Sequence, residues 1–426
     1  MKILILGASG FIGATVLQRL ISDGHHVTGL ARDVARAANR HGHAAWVKAD
    51  LSAMTKPEDW LPLLQDHEAV INCAGALQDG LSDNVAATQE TAMLALYTAA
   101  RQSGGKRIIQ ISAGVEGGGA DLPFLATKRR ADAELSRSGL DSTILRPALV
   151  VGRNAHGGTA LLRALAAMPM VLPLVYAASP METVSVDDVA EAVSRAVTGS
   201  ISGDITLAAP GILTLGDAVA LHRAWLGLRP APRIDLPPWC ARPVTIVADL
   251  AGRLGWRSPL RSTAMAVMSE GVIGEQDRPA PPFPLRSLRQ TLSSHPAGVQ
   301  DLWFARLYLL KAPVIVTLSL FWLLSGLIPL AEPARAAAHF QPLLPPAGAL
   351  AMLLFTCALD VALGLAVLVR PFARRALIGM LLLSAGYLLS ATLVEPALWA
   401  DPLGPLVKVL PSILLTLVAL ATLDER

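Results

Sequence analysis

The sequence predicts a doubly wound α/β unit with a parallel sheet, followed by a mixed linker region and an all-α bundle of four transmembrane helices. Three observations carry this expectation. Up to about residue 150, short β-rich runs alternate with helical stretches, the rhythm of successive βαβ units. Charged residues make up 16% of the 426 and hydrophobic residues 53%, whereas an ordinary soluble domain has about 25% charged residues, so part of the chain is not built for water. After Lys311 come four apolar stretches, each about as long as a helix that crosses a bilayer.

The β-rich runs are Ile3 to Leu6, His26 to Leu30, Trp46 to Val47, Ala69 to Cys73, Arg107 to Ile111 and Ser142 to Leu145. Right-handed crossovers place the intervening helices on both faces of the sheet. From about residue 154 to 210 the rhythm loosens. A helix around Thr159 to Met168, then Thr183 to Val186 and a helix from Val189 to Val197, read as a small lobe that closes over the sheet and shapes a substrate pocket. In that lobe Asp187 and Asp188 have a structural reading, because acids at a helix start cap its N–H groups and favour its dipole.

Residues 211–306 read as a mixed, membrane-proximal linker. It holds a helix from Leu215 to Trp225, a Pro-rich hinge from Arg229 to Pro238, an amphipathic helix from Val244 to Leu254 and a second Pro-rich stretch from Arg278 to Pro284. Trp225, Trp239, Trp256 and Trp303, with arginines nearby, fit a core or a membrane surface equally well. The expected division is therefore 1–210, 211–306 and 307–426.

The apolar stretches are Ala312 to Leu330, Ala347 to Val369, Ala376 to Val394 and Leu406 to Leu423. The link Arg370-Pro371-Phe372-Ala373-Arg374-Arg375 holds three arginines and is expected on the cytoplasmic side. Both chain ends then lie in the cytoplasm, and the outer loops carry Glu332, Arg335 and His339, and Glu395 and Asp401. Met1 leads directly into an apolar strand without the longer apolar core of a secretory signal, which agrees with a cytoplasmic N-terminal unit. Asp360 falls mid-span, where a charge is costly and needs a partner inside the bundle; it reads as a functional group or as a helix-to-helix bond. Lys408 lies close enough to the interface to snorkel.

The net charge of +3 comes from basic residues spread along the chain, which argues against a nucleic-acid partner. Cys73, Cys240 and Cys357 are far apart, with no CxxC pair and no histidine at ligand spacing, so no metal site is expected and the thiols read as reduced and packed.

Directly after the first strand stands Gly7-Ala8-Ser9-Gly10-Phe11-Ile12-Gly13, followed by a helical stretch from Ala14 to Ile21. Glycines here permit a tight turn, let backbone N–H groups approach a pyrophosphate and let the helix pack on the strand, which makes the unit a Rossmann-type nucleotide binder. Further motifs come in order: Ala31-Arg32-Asp33, Asp50-Leu51, Asn72-Cys73-Ala74-Gly75, Ile111-Ser112-Ala113, Leu145-Arg146-Pro147 before Val151-Gly152, and Val186-Asp187-Asp188-Val189-Ala190. With its GxxGxxG spacing, this set resembles the extended and atypical short-chain dehydrogenase/reductases over about residues 1 to 210.

The resemblance implies a nicotinamide dinucleotide. Asp50 would bind the adenine amino group beside Leu51, and Ala74 and Gly75 would line the adenosine and nicotinamide half of the groove. Arg32 would meet a 2′-phosphate and favours NADP(H) over NAD(H), although Asp33 could instead bind the free ribose hydroxyls of NAD. Family reductases move a proton through a Tyr-xxx-Lys pair with a serine on the substrate oxygen. The matching window is Phe124-Leu125-Ala126-Thr127-Lys128. Lys128 fits the family lysine and Ser112 the family serine, so both are candidate catalytic residues, but Phe124 has no hydroxyl. Lys128 serves as acid or base in some atypical members. The window from Lys128 to Gly152, with Ser138-Gly139-Leu140-Asp141, is similar to the group of the nucleotide-binding accessory subunit of respiratory complex I, whose complex-bound members keep NADPH largely as a structural ligand.

Residues from about 307 resemble the DoxX-like four-helix membrane family in Trp322-Leu323-Leu324-Ser325-Gly326 and Ala358-Leu359-Asp360-Val361-Ala362-Leu363-Gly364. That resemblance implies a lipid bilayer partner and a quinone or another membrane redox partner. The sequence therefore leads to a membrane-anchored NAD(P)(H)-dependent oxidoreductase whose substrate it leaves open, with a quinone or a carbonyl as candidates. A non-catalytic NADP(H)-binding redox sensor or scaffold, and an epimerase or dehydratase on a nucleotide- or lipid-linked substrate, are the alternatives.

Overall fold

The computed structural model describes residues 1–75, 79, 84–113, 122–275, 277–341, 343–402 and 404–424. The chain forms two compact units, Met1–Asp249 with Ser258–Ala305, and Leu250–Arg257 with Arg306–Arg426.

In the first unit β1 (Lys2–Leu6), α1 (Phe11–Ser22), β2 (His26–Ala31), α2 (Val34–Arg40), β3 (Ala45–Lys48), α3 (Pro57–Gln65), β4 (Ala69–Asn72), α4 (Ala92–Gln102), β5 (Arg107–Ile111), α5 (Pro123–Arg137) and β6 (Ser142–Pro147) alternate as expected. The lobe then begins with β7 (Leu149–Val151), α6 (Gly158–Ala166), β8 (Leu172–Val175), β9 (Pro180–Met181), β10 (Thr183–Ser185) and α7 (Val186–Val197). β11 (Gly203–Leu207) returns to the sheet beside β6, with Gly203 opposite Thr143 and Leu207 opposite Pro147. This last strand is absent from the sequence reading, because five residues after a helix offer too short a pattern to separate from a loop.

The seven strands lie parallel in the order β11-β6-β5-β4-β1-β2-β3. Connections change direction at β1, between β4 and β2, and the crevice beyond the carboxyl ends of such strands is where open α/β sheets take ligands. Successive β1 side chains serve opposite faces, as a pleated strand demands. Ile3 and Ile5 join Val16, Leu17 and Leu20 of α1 and Val189 and Val193 of α7. Leu4 and Leu6 join Trp60, Leu64, Met93 and Leu96 on the other side.

The lobe continues through β12 (Leu213–Thr214), α8 (Leu215–Trp225), β13 (Arg233–Leu236), α9 (Ala241–Arg253), α10 (Ser262–Glu270), α11 (Leu288–Ser294) and α12 (Val299–Tyr308). β13 pairs with β8, β12 with β9, and Val272 bridges Met181, so segments distant in sequence close one core around Leu162, Leu174, Met181, Val219 and Leu288. At the start of α7 the capping oxygen belongs to Ser185, which accepts from Asp187 N at 3.3 Å. Asp188 does not cap; its carboxylate accepts from Arg286 N and Nε at 2.8 Å each and ties the later segment to the helix.

The second unit is helical: α13 (Lys311–Leu327), α14 (Pro333–Ala337), α15 (Pro346–Ala366), α16 (Arg370–Val394) and α17 (Val409–Thr422). Among the described residues three helical segments, Lys311–Ala331, Pro346–Ala366 and Arg370–Val394, are long and apolar enough to cross a membrane. The fourth expected stretch yields 14 helical residues, because turns occupy 405–408 after Gly404, which has φ +55°. The arginine-rich link is itself helical: Pro371 sits in the first turn of α16, where its missing N–H is harmless. α13 and α15 approach closely, since a Cβ at Gly364 would lie 3.1 Å from the Ser319 carbonyl oxygen. Asp360 is 4% exposed, and its carboxylate accepts from Ser325 Oγ and Tyr387 Oη at 2.9 Å each. Its hydrogen-bond donors are therefore hydroxyls of α13 and α16.

His222 of α8 is fully buried, and burial lowers its pKa to about 4 from an ordinary 6.5. A folded-state pKa below the unfolded one stabilises the fold above about pH 6.5, and this contribution, up to about 3 kcal/mol, is lost as the pH falls toward 4. Thermal unfolding of the detergent-solubilised chain should show the unfolding temperature dropping between about pH 7 and pH 4.5, with a shallower drop in His222→Leu. Equal slopes in the two proteins would refute this assignment.

Candidate functional site

The turn after β1 is shaped by what cannot fit there. Gly7 has φ +69°, in the left-handed region, and a Cβ on it would lie 2.9 Å from Ala74 N and Cα. A Cβ on Gly13 would lie 2.2 Å from the Gly7 carbonyl oxygen. Gly10 N donates to Gly7 O at 2.9 Å and closes the turn. Gly10 is also the N-cap of α1, with no side-chain capping bond, and Ser9 beside it is exposed. The positive end of α1 thus opens at the switch point of the sheet. Ala8 is buried, Phe11 and Ile12 are half-buried, and the rings of Phe11 and His156 stack with centroids 6.0 Å apart.

Across the turn lies the loop after β4. Asn72 is buried; its Oδ1 accepts from Ala74 N at 2.9 Å and its Nδ2 donates to Gln110 Oε1 at 2.9 Å, which locks the loop against Gly7. A Cβ at the next glycine, Gly75, would be 3.6 Å from Lys128 Nζ, so the lysine of α5 stands beside this loop. Lys128 donates to the Ile111 carbonyl oxygen at 2.8 Å. Burial pushes its pKa down, with the Asp132 carboxylate pulling the other way. Burial pushes the Cys73 thiol up to about 12, with the Lys128 charge opposing it.

At the other end of the crevice Arg32 and Asp33 follow β2, both exposed. Asp33 Oδ1 accepts from Arg36 N at 3.0 Å and caps α2. Asp50 follows β3; its Oδ1 accepts from Ser52 N at 3.1 Å and Ser52 Oγ at 2.8 Å, which fixes the short turn that begins at Leu51.

Ser112 follows β5 and faces an acid of α5. It is 4% exposed, and its hydroxyl donates to Asp132 Oδ2. Arg146 Nη1 lies 3.0 Å from that same Asp132 oxygen, and Arg146 Nε lies 2.8 Å from Asp204. The serine hydroxyl therefore belongs to a buried ion-pair network whose outer end borders a cleft of about 580 Å³ beside Asp204, Glu275 and Arg278. Asp132, four residues after Lys128 on α5, was missed in the sequence, although helical spacing alone puts the two on one face.

Phe124, where the family tyrosine would stand, packs into an apolar cluster with Leu125, Leu149, Val267, Met268 and Val272. α10 and the strand-like residue after it thus cover this position. Arg163 was also missed; buried on α6, it donates to the carbonyl oxygens of Gly152 at 2.6 Å and Arg153 at 2.8 Å. Gly152 lies against Phe11 and Val186, so Arg163 holds the lobe at the glycine turn. No local pattern announces such a long-range contact.

Among known proteins, residues 7–199 match the NAD(P)H-binding family model, and residues 319–417 match the DoxX-like family. An uncharacterized protein of Mycobacterium tuberculosis is 31% identical over 253 residues, covering 59% of this chain and 26% of its own length. The chain thus spans about a quarter of that relative. The photosystem II assembly factor Ycf39 of Synechocystis is 27% identical over 147 residues, 34% of this chain and 44% of its own. The crystal structure of gox2253 has 23% identity and a TM-score of 0.52, covering 68% of this chain and 96% of that one. The dTDP-glucose 4,6-dehydratase of Bacillus anthracis, solved with NAD, has 14% identity and a TM-score of 0.50, covering 71% and 96%. The two structures agree with this fold, a parallel Rossmann sheet.

A graded glycine series tests the turn. Gly13→Ala should weaken binding of NAD(P)H by at least about tenfold, while Gly10→Ala, whose Cβ would meet Gly7 O at 3.1 Å, should weaken it less. Titration of cofactor fluorescence reads both, with circular dichroism to confirm the fold. Wild-type affinity in both variants would contradict the assignment.

Proposed function

We propose that this chain, an NAD(P)-binding domain joined to a DoxX-like membrane domain, is a membrane-anchored oxidoreductase of the atypical short-chain type whose cofactor site faces the cytoplasm. The observation that carries the reading is the buried Lys128 ammonium beside Gly75, at the end of a crevice that starts with an uncapped helix.

The residues fit a dinucleotide. The cradle over Gly7 and Gly13 is one that Cβ atoms would fill, and the α1 N-terminus suits a pyrophosphate. Asp50 and Leu51 would receive the adenine, and Ala74 and Gly75 would line the groove toward the nicotinamide. Because Asp33 already caps α2, Arg32 is the better candidate ligand for the adenosine ribose, which supports NADP(H) over NAD(H). When bound, the dinucleotide supplies or accepts a hydride. Lys128 would hold the ribose, and its burial-lowered pKa also favours release of a proton toward a substrate oxygen. Ser112 acts here through Asp132, by fixing the carboxylate whose charge opposes that shift. The arginines Arg370, Arg374 and Arg375 in the first turns of α16 support the cytoplasmic orientation. A membrane-embedded second unit suits a quinone or a carbonyl of a lipid-soluble molecule as the acceptor.

Phe124 favours a second reading, a non-catalytic NADP(H)-binding sensor or scaffold of a membrane complex, since an apolar cluster surrounds the position that would carry the hydroxyl. The same residue weighs against an epimerase or dehydratase.

The test is to purify the full chain, identify any bound nucleotide and follow NADPH absorbance with quinone and carbonyl acceptors. An oxidoreductase should turn over, and Lys128→Ala should reduce the rate by about 100-fold or more. Stoichiometric nucleotide without turnover supports the sensor, and no nucleotide under any condition overturns both. Arg32→Ala should weaken NADPH binding by about tenfold and leave NADH within about twofold; equal losses would place the 2′-phosphate elsewhere.

A further inference from the structure

α9 is divided along its length. Ala241, Ala248 and Gly252 are buried, whereas Ile246 is 67%, Val247 66% and Leu250 59% exposed, as is Trp239 just before the helix at 66%. At helical spacing Pro243, Ile246, Val247 and Leu250 form one continuous stripe, with Arg242 and Arg253 along one margin. Exposed apolar surface of this kind marks an interaction site. The one acid of the helix, Asp249, is turned to Arg261 at 3.2 Å, which leaves arginines to border the stripe.

The residues just after α9 are fastened to the ends of the long apolar helices. The Leu254 carbonyl oxygen accepts from Arg370 N at 2.9 Å, and Trp256 Nε1 donates to the Leu368 carbonyl oxygen at 2.6 Å. Lys311 and Arg370 lie 5.8 and 5.5 Å from the Trp256 ring centroid. Lys311 begins α13, and Leu368 and Arg370 join α15 to α16. Both cations also reach the Leu423 carbonyl oxygen just after α17, at 3.3 and 2.9 Å. Residues 254–256 therefore sit at the level where the apolar helices end, with a tryptophan ring between cations, the chemistry of a headgroup layer. The last passage of the chain from the first unit into the second has the same character: in α12, Val299 is 60% and Trp303 62% exposed, and Leu310, just before α13, is 53% exposed.

We infer that α9 is an in-plane membrane anchor, its apolar stripe bedded in the bilayer interface on the side of Lys311 and Arg370, with Arg242 and Arg253 toward the phosphates of anionic lipid. This rests on the reading that α13, α15 and α16 cross a membrane. Such an anchor fixes the segment that leads from the nucleotide-binding unit into the membrane helices, instead of leaving it a free tether.

The test uses the full chain in nanodiscs containing anionic lipid and compares it with Trp239→Phe, so that the difference emission isolates Trp239. Bromine placed high on the acyl chains, near the headgroups, should quench that emission by about twofold or more, and bromine at the bilayer centre clearly less. Ile246→Asp, at an exposed position that does not disturb the core, should reduce the shallow quenching. Arg242→Gln with Arg253→Gln should remove its dependence on anionic lipid. A difference emission insensitive to bromine, or quenched more from the centre, overturns the inference; insensitivity is also the outcome if a protein partner covers the stripe. The emission that remains in Trp239→Phe reports the spanning helices separately. If it is quenched while Trp239 is not, the anchor alone falls; if neither is quenched, the membrane reading falls with it.

Discussion

Two missing Cβ atoms, at Gly7 and Gly13, set the geometry on which the rest of the first unit depends. They let the start of α1 settle against the ends of β1 and β4, and that approach puts Val16, Leu17 and Leu20 in reach of α7. α7 in turn carries Asp188, which holds Arg286 and the segment that closes the lobe. A side chain at Gly13 would have to push the helix away from the strand or break the turn. The feature that leaves room for an anion at the N-terminus of α1 is thus the one that sets the packing behind it.

The second constraint is electrostatic. Lys128, Asp132 and Arg146 are all buried, and Arg146 bridges Asp132 and Asp204. Buried ion pairs add little net stability, but removing one partner strands the other. Ser112, which matches the reductase serine in position, joins this network by donating a hydrogen bond from its hydroxyl to Asp132. Among the described residues Lys128 is buried beside Gly75, while Phe124 packs among apolar neighbours. The same arrangement would suit a cofactor held without turnover, which is why catalysis has to be measured on the intact chain.

Much of the fold was legible in the sequence because it is written in local patterns. Strand runs followed by helical runs, a glycine turn after the first strand, and helices such as Leu215–Trp225 need only a few neighbouring residues to be recognised. What was not legible depends on partners far along the chain. The pairing of β13 with β8 and of Val272 with Met181 joins short segments about 60 and 90 residues apart, with no periodicity to reveal them. The same holds within the site. Gly7, Gly10 and Gly13 come together through one turn, whereas the approach of Lys128 to Gly75, and of Arg163 to Gly152, depends on how α5 and α6 pack. In the second unit hydropathy located the apolar stretches, but not that the arginine link would be helical or that turns would shorten the last helix.

A structure of the full chain with NADP(H) bound, in a nanodisc, tests the account most directly. It predicts the pyrophosphate over the N-terminus of α1, within hydrogen-bonding reach of the backbone N–H groups of Phe11 and Ile12, with the nicotinamide end extending toward Gly75 and Lys128. A dinucleotide seated elsewhere, or a glycine turn left empty at saturating cofactor, would contradict it.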